Sequence, residues 1–164
     1  MMMRSSLAKC IVLIALAISV GVSAIQEPKT GLDFPGKFQG AALSGLGVRT
    51  KGPIKVYAVG QYGETFLLKM NMKVGSEKMA SALSDALKPR CNDKDSIEEF
   101  KTMVTQGLPK GCKKGTDLAF ATKGGKVAFT VNNKAIGNVG SKSLATAFKG
   151  IYCDGKAVCK LSPI

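Results

Sequence analysis

Two side chains in this sequence have the type and spacing to grip an anion. Arg49 sits in Gly47-Val48-Arg49-Thr50 and Tyr57 in Lys55-Val56-Tyr57-Ala58, on either side of a Lys51-Gly52-Pro53 turn. Arg49 is one of only three arginines in a chain that otherwise takes its positive charge from lysine. A guanidinium presents a planar fork of donors that matches a carboxylate, whereas a lysine presents a point charge. A phenol across the hairpin adds one more donor. The pair reads as a grip on an acidic group inside a pocket. The plainer alternatives are a solvated strand arginine and a core tyrosine bonded to backbone.

Other groups point to less chemistry. Setting aside Cys10, which leaves with the N-terminal segment, Cys91, Cys112, Cys153 and Cys159 remain. That is an even number in a chain routed to an oxidising compartment, so two disulfides are expected. Four cysteines allow three pairings; Cys91–Cys112 and Cys153–Cys159 are favoured because each closes a local loop. A metal site is not expected, because the chain has no histidine and no C-x-x-C. Asp95 and Glu98 read as helix caps rather than a catalytic pair, and Gly124-Gly125 as a turn with no strand–helix context for phosphate. No cofactor is implied.

These residues need elements to hold them. Arg4, Lys9, the apolar run Ile11 to Val22 and the small residues Val22-Ser23-Ala24 read as a secretory signal over residues 1–24. The run is short for a bilayer-spanning helix, which needs about 20 residues. Residues 25–164, about 140 in all, are enough for one domain. The expected destination is the secretory pathway: secretion, or an ER or vacuolar lumen. The formal net charge is +13, falling to about +11 without Arg4 and Lys9. The lysines are dispersed, and no aromatics interleave with basic clusters, so a nucleic-acid partner is not expected. A solvated lysine surface with at most weak binding to anionic surfaces fits better.

Ile25 to Phe38 reads as an extended leader with an edge strand near Leu32-Asp33-Phe34. Gly47 to Tyr62 reads as a hairpin, in whose second strand Ile54, Val56 and Ala58 share one face and Lys55, Tyr57, Val59 and Gln61 the other. Thr65 to Val74 alternates as a long strand. Ser76 is expected to cap a helix ending before Pro89, Asp95 to open a second that stops near Gly107, and Ser141 to cap a third. Between the last two lie strands at Asp117–Thr122, Lys126–Asn132 and Ala135–Val139. The order is an α+β arrangement.

Several strings together resemble the chalcone isomerase family: Gly47-Val48-Arg49, Lys55 to Tyr62, Ser76-Glu77-Lys78, Ala86 to Arg90, Phe129 to Gly137 and the Leu144 to Tyr152 helix. The likeness runs over roughly residues 38 to 160 in unbroken order. It implies a chalcone isomerase-like open-faced β-sandwich, in which a layer of α-helices covers a long antiparallel sheet and ligands sit between them. By that resemblance the isomerase arginine matches Arg49, while the threonine on the next strand matches Tyr57, as in fatty-acid-binding members. The isomerase tyrosine falls on Gly75, the asparagine on Ala82 and the late-helix threonine or serine on Ile151. Removing one donor of such a set typically costs about 10²–10³ in rate, so little catalysis would survive. The resemblance therefore implies a non-catalytic, monomeric binder of a fatty acid or similar small apolar carboxylate. Arg49 and Tyr57 would hold the head, and Gly75, Ala82 and Ile151 would widen an apolar cleft. The alternatives are a chalcone isomerase-type intramolecular lyase on another substrate, and a basic secreted protein that binds anionic surfaces or polymers through its lysines.

Overall fold

The computed structural model describes residues 23–164. Apart from Ser23 and Ala24, the signal expected over 1–24 lies outside the described residues. The chain begins with two short ladders, β1 (Ile25–Gln26) with β2 (Asp33–Phe34), and β3 (Lys37–Phe38) with β4 (Ala41–Ala42). Then come β5 (Gly45–Lys51), β6 (Ile54–Tyr62), β7 (Thr65–Met70), α1 (Ser76–Leu87) and α2 (Lys94–Gly107). After them follow β8 (Asp117–Ala121), β9 (Lys126–Val131), β10 (Lys134–Gly140), α3 (Lys142–Cys153) and β11 (Ser162–Pro163). Seven strands form one sheet in the order β10-β9-β8-β7-β6-β5-β11, antiparallel throughout.

The helices cover one face of this sheet. Phe66, Leu68 and Met70 of β7 meet Leu83 and Leu87 of α1, Phe100 of α2 and Phe148 of α3 in the main core. Phe120 and Phe129 stack at 4.7 Å, and Phe148 lies at 4.7 Å from Phe120, so the aromatic cluster ties α3 to the middle of the sheet. The opposite face is covered by the leader, which does more than run along an edge. Phe34 is fully buried with Leu43, Leu46, Ala58, Tyr62 and Leu67. The Tyr62 hydroxyl donates to the Pro35 carbonyl at 2.6 Å. Gly60 makes room for this layer, since a Cβ there would stand 2.8 Å from the Phe34 ring.

The β5–β6 hairpin turns at Gly52, whose φ of 56° is open to glycine at no steric cost. Arg49 pairs directly with Tyr57, and Thr50 with Lys55, so Val56 is the extra residue of a β-bulge. The bulge breaks the alternation expected for β6: Val56 joins Tyr57 and Val59 on the helix side, while Ala58 faces the leader. Asn71 holds it in place. Its N–H donates to the Val56 carbonyl at 2.9 Å and its Nδ2 to the Lys55 carbonyl at 3.0 Å. β7 ends at Met70, short of the expected Val74.

Two helix starts differ from expectation. Ser76 is the first residue of α1 and Gly75 the cap, with no side-chain bond. In α2 the cap is Asp93, not Asp95: its carboxylate accepts from the Ser96 N–H at 3.1 Å and from the Ser141 hydroxyl at 3.0 Å. Asp93 therefore ties α2 to the start of α3, whose own cap Ser141 accepts from the Leu144 N–H.

The cysteines correct the sequence reading. Cys91, Cys112, Cys153 and Cys159 are all free thiols. Cys112 pairs by backbone with Val74, just before α1, while Cys91 follows the other end of that helix. A helix of that length separates its ends by about 18 Å, well beyond the ~4.4–6.8 Å Cα spacing of a disulfide. Cys153 is exposed at the end of α3 and Cys159 is buried in the main core, and no bond joins them.

A candidate ligand cleft between sheet and helices

The main cleft lies where the β5–β6 hairpin faces α1 and the end of α3. It has a volume of about 790 Å³, within the ~300–1,000 Å³ of small-molecule sites. The bulge brings Arg49, Val56 and Tyr57 to one wall; α1 supplies Met79, Ala82 and Leu83, and α3 supplies Ile151. Four of the five positions picked from the sequence, Arg49, Tyr57, Ala82 and Ile151, thus meet in one cavity. Gly75 does not reach it: it caps α1, and its neighbour Val74 lines the wall instead.

Arg49 is half-buried, and one guanidinium nitrogen, Nη1, donates to the Val158 carbonyl at 3.2 Å. No carboxylate pairs with it among the described residues; Asp85, on the α1 side of the cleft, is held by Lys88 at 2.9 Å. Arg90 is its opposite. That guanidinium is spent on Asp154 through Nε at 2.8 Å and Nη2 at 3.2 Å, and on the carbonyls of Ala86 and Lys156. Arg90 is a latch between α1 and the loop after α3, while most of the five donors of Arg49 remain unused beside an apolar wall.

Tyr57 is 5 % exposed, and its hydroxyl lies 3.0 Å from that of Tyr152 on α3, itself buried. Burial drives both phenols well above their usual pKa, although the Tyr152 bond and the Arg49 charge act the other way at Tyr57. Both are neutral donors at ordinary pH. Two hydroxyls joined by one bond use one proton, and neither has another partner among the described residues. If Tyr152 donates to Tyr57, the Tyr57 proton is free for an acceptor in the cleft. Cys159 belongs to the same buried cluster, its thiol pushed up to about 11 by burial against the lowering charge of Arg49.

Sequence reasoning missed Tyr152, Val56 and Val158. Tyr152, one of three tyrosines and the residue after Ile151, enters the site only through the way α3 rotates onto the sheet. Val56 enters the site only through the bulge, and Val158 only because the tail crosses beneath Arg49.

No protein-family model matches the chain, and no curated protein does. Among solved structures, a fatty-acid binding protein of Arabidopsis thaliana matches with a TM-score of 0.74 at 17 % identity, covering 83 % of this chain and 91 % of that one. With a long antiparallel sheet under three helices and a cleft between them, the chain has the chalcone isomerase-like fold of that protein.

Proposed function

We propose that the protein binds a fatty acid or a similar apolar carboxylate, with the carboxylate held by Arg49 and Tyr57 and the acyl chain laid along Val56, Met79, Ala82, Leu83 and Ile151. The observation that carries this reading is the unspent guanidinium of Arg49, without a carboxylate partner among the described residues, opposite a buried phenol whose proton is free for the cleft when Tyr152 donates to it. A half-buried cation of that kind calls for an anion. The apolar wall beside it accepts a hydrocarbon chain. The name of the Arabidopsis neighbour, a fatty-acid binding protein, is in keeping with this. Isomerase chemistry finds less support, because Ala82 and Ile151 offer no polar side chain to the cleft.

The test is native mass spectrometry of the purified protein, followed by extraction of bound small molecules. A co-purifying long-chain acid, lost in Arg49→Ala, is expected. An empty protein with no affinity for any member of a fatty-acid series would sink the reading. Residues 1–24 act, in this proposal, as a secretory signal that routes the chain to secretion or to an ER or vacuolar lumen. N-terminal sequencing of the cell-exported protein should then begin at Ile25, and an intact Met1 would refute it.

A further inference from the structure

The cleft opens at the tip of the β5–β6 hairpin, and its mouth differs from its wall. Lys51 and Gly52 of the turn, Ile54 at the start of β6, Lys73 after β7 and Lys78 on α1 all border it. Lys51, Lys73 and Lys78 are exposed, and none forms an ion pair among the described residues. The carboxylate on that side, Asp85, is already taken by Lys88, and Glu77, next to Lys78 on α1, stands outside the cleft. The mouth is therefore a ring of uncompensated positive charge.

Ile54 stands within that ring and is 50 % exposed. Among the described residues the other large apolar side chain so exposed is Ile164, at the far end of β5, where β11 pairs with Gly45 and Leu46. An aliphatic residue at a hairpin tip, flanked by lysines and leading into an apolar cavity, matches the layering of a bilayer surface. The apolar tip enters the acyl boundary, and the ammonium groups meet anionic headgroups.

We infer that the mouth of the cleft docks on an anionic lipid bilayer, with Ile54 in the interface and Lys51, Lys73 and Lys78 against the headgroups. Passage of an acyl ligand between bilayer and cleft rests on the fatty-acid reading above; the docking itself rests on the tip and its lysines.

The experiment is co-sedimentation of the protein with vesicles of phosphatidylcholine alone and of phosphatidylcholine and phosphatidylserine in equal parts. Binding is expected to the second kind and not the first, and to weaken with salt. Each lysine at an anionic surface strengthens binding about five-fold. The triple variant Lys51→Glu, Lys73→Glu, Lys78→Glu should therefore lose roughly 100-fold or more. Lys123→Glu, Lys126→Glu, Lys142→Glu makes the same change of net charge at the opposite end of the sheet, where the β8–β9 turn meets the start of α3. That variant should sediment like the unmodified protein, and Ile54→Asp should sediment less. Equal losses in the two triples, equal binding to both vesicles, or no effect of Ile54→Asp would each overturn the docking. In parallel, the unmodified protein is titrated with a fluorescent fatty acid in solution. Uptake without vesicle binding overturns the docking and leaves the cleft reading intact; vesicle binding without uptake does the reverse.

Discussion

Tyr57 and Tyr152 share one hydrogen bond, yet their substitution by phenylalanine should have different consequences. Tyr57 borders the cleft and Tyr152 does not. In Tyr57→Phe the ligand loses a donor to its carboxylate, and a bond to a charged group is worth about 1.5–3 kcal/mol. The dissociation constant for a fatty acid should rise roughly 10- to 150-fold. In Tyr152→Phe the Tyr57 proton still reaches the ligand, so affinity should change by less than about five-fold, the worth of a neutral bond felt indirectly. The cost appears in stability instead. Tyr57, with its hydroxyl 3.0 Å from Tyr152 and its side chain buried, becomes an unpartnered buried group in the empty protein. That costs about 1–3 kcal/mol, or a fall in Tm of some ~3–10 °C for a chain of this size. Calorimetric titration of the delipidated variants, with melting curves of the empty proteins, separates the two. Equal affinity losses in both variants, or none in Tyr57→Phe, would refute this division of labour.

Thiol titration of the chain from Ile25 onward should count one rapidly reacting group, Cys153, and four after denaturation; fewer than four in the denatured chain would restore a disulfide. Alkaline pH should unfold the protein early. Burial raises the Cys112 and Cys159 thiols from 9.0 to about 11 in the folded state, so their contribution is whole below pH 9 and is lost as pH rises to about 11, where the buried tyrosines begin to add to it. Denaturant unfolding across that range should show the decline, and flat stability would contradict it. Gly60→Ala forces a Cβ to 2.8 Å from the Phe34 ring and should cost about 1–3 kcal/mol by chemical denaturation. No loss there would mean that the leader does not pack on the sheet as described.

The hairpin was legible because Gly52-Pro53 marks the turn and the flanking residues alternate, but a regular register from Thr50 and Lys55 would set Arg49 against Val56; the bulge sets it against Tyr57. The bulge at Val56 was not legible, since it is held by Asn71 from the neighbouring strand. The same kind of distant partner decided the α2 cap. Asp93 outcompetes Asp95 because it also reaches Ser141, 48 residues on. The leader lacks any period, yet it covers the β5–β8 part of a sheet face through Phe34, whose partner Gly60 is marked in the sequence only by a missing side chain. Cysteine number suggested bridges, but α1 stands between Cys91 and Cys112, and no spacing rule carries that geometry. In the site, Ala82 and Ile151 were reachable through the resemblance to the chalcone isomerase family, which places polar family positions on them. Tyr152 depends on how α3 rotates onto the sheet, which only the packing of Phe148 against Phe66 and Phe120 decides.

The central claim is that Arg49 waits for a carboxylate. Its most direct test is titration of delipidated protein with a saturated fatty acid and with the alcohol of the same chain length. Two charge-assisted bonds are worth about 3 kcal/mol or more, so the unmodified protein should favour the acid over the alcohol by roughly 100-fold or more. In Arg49→Ala that preference should fall by roughly ten-fold or more, to what the Tyr57 bond alone supplies, while the weak affinity for the alcohol stays. Equal binding of acid and alcohol by the unmodified protein, or an undiminished preference in Arg49→Ala, would contradict the account.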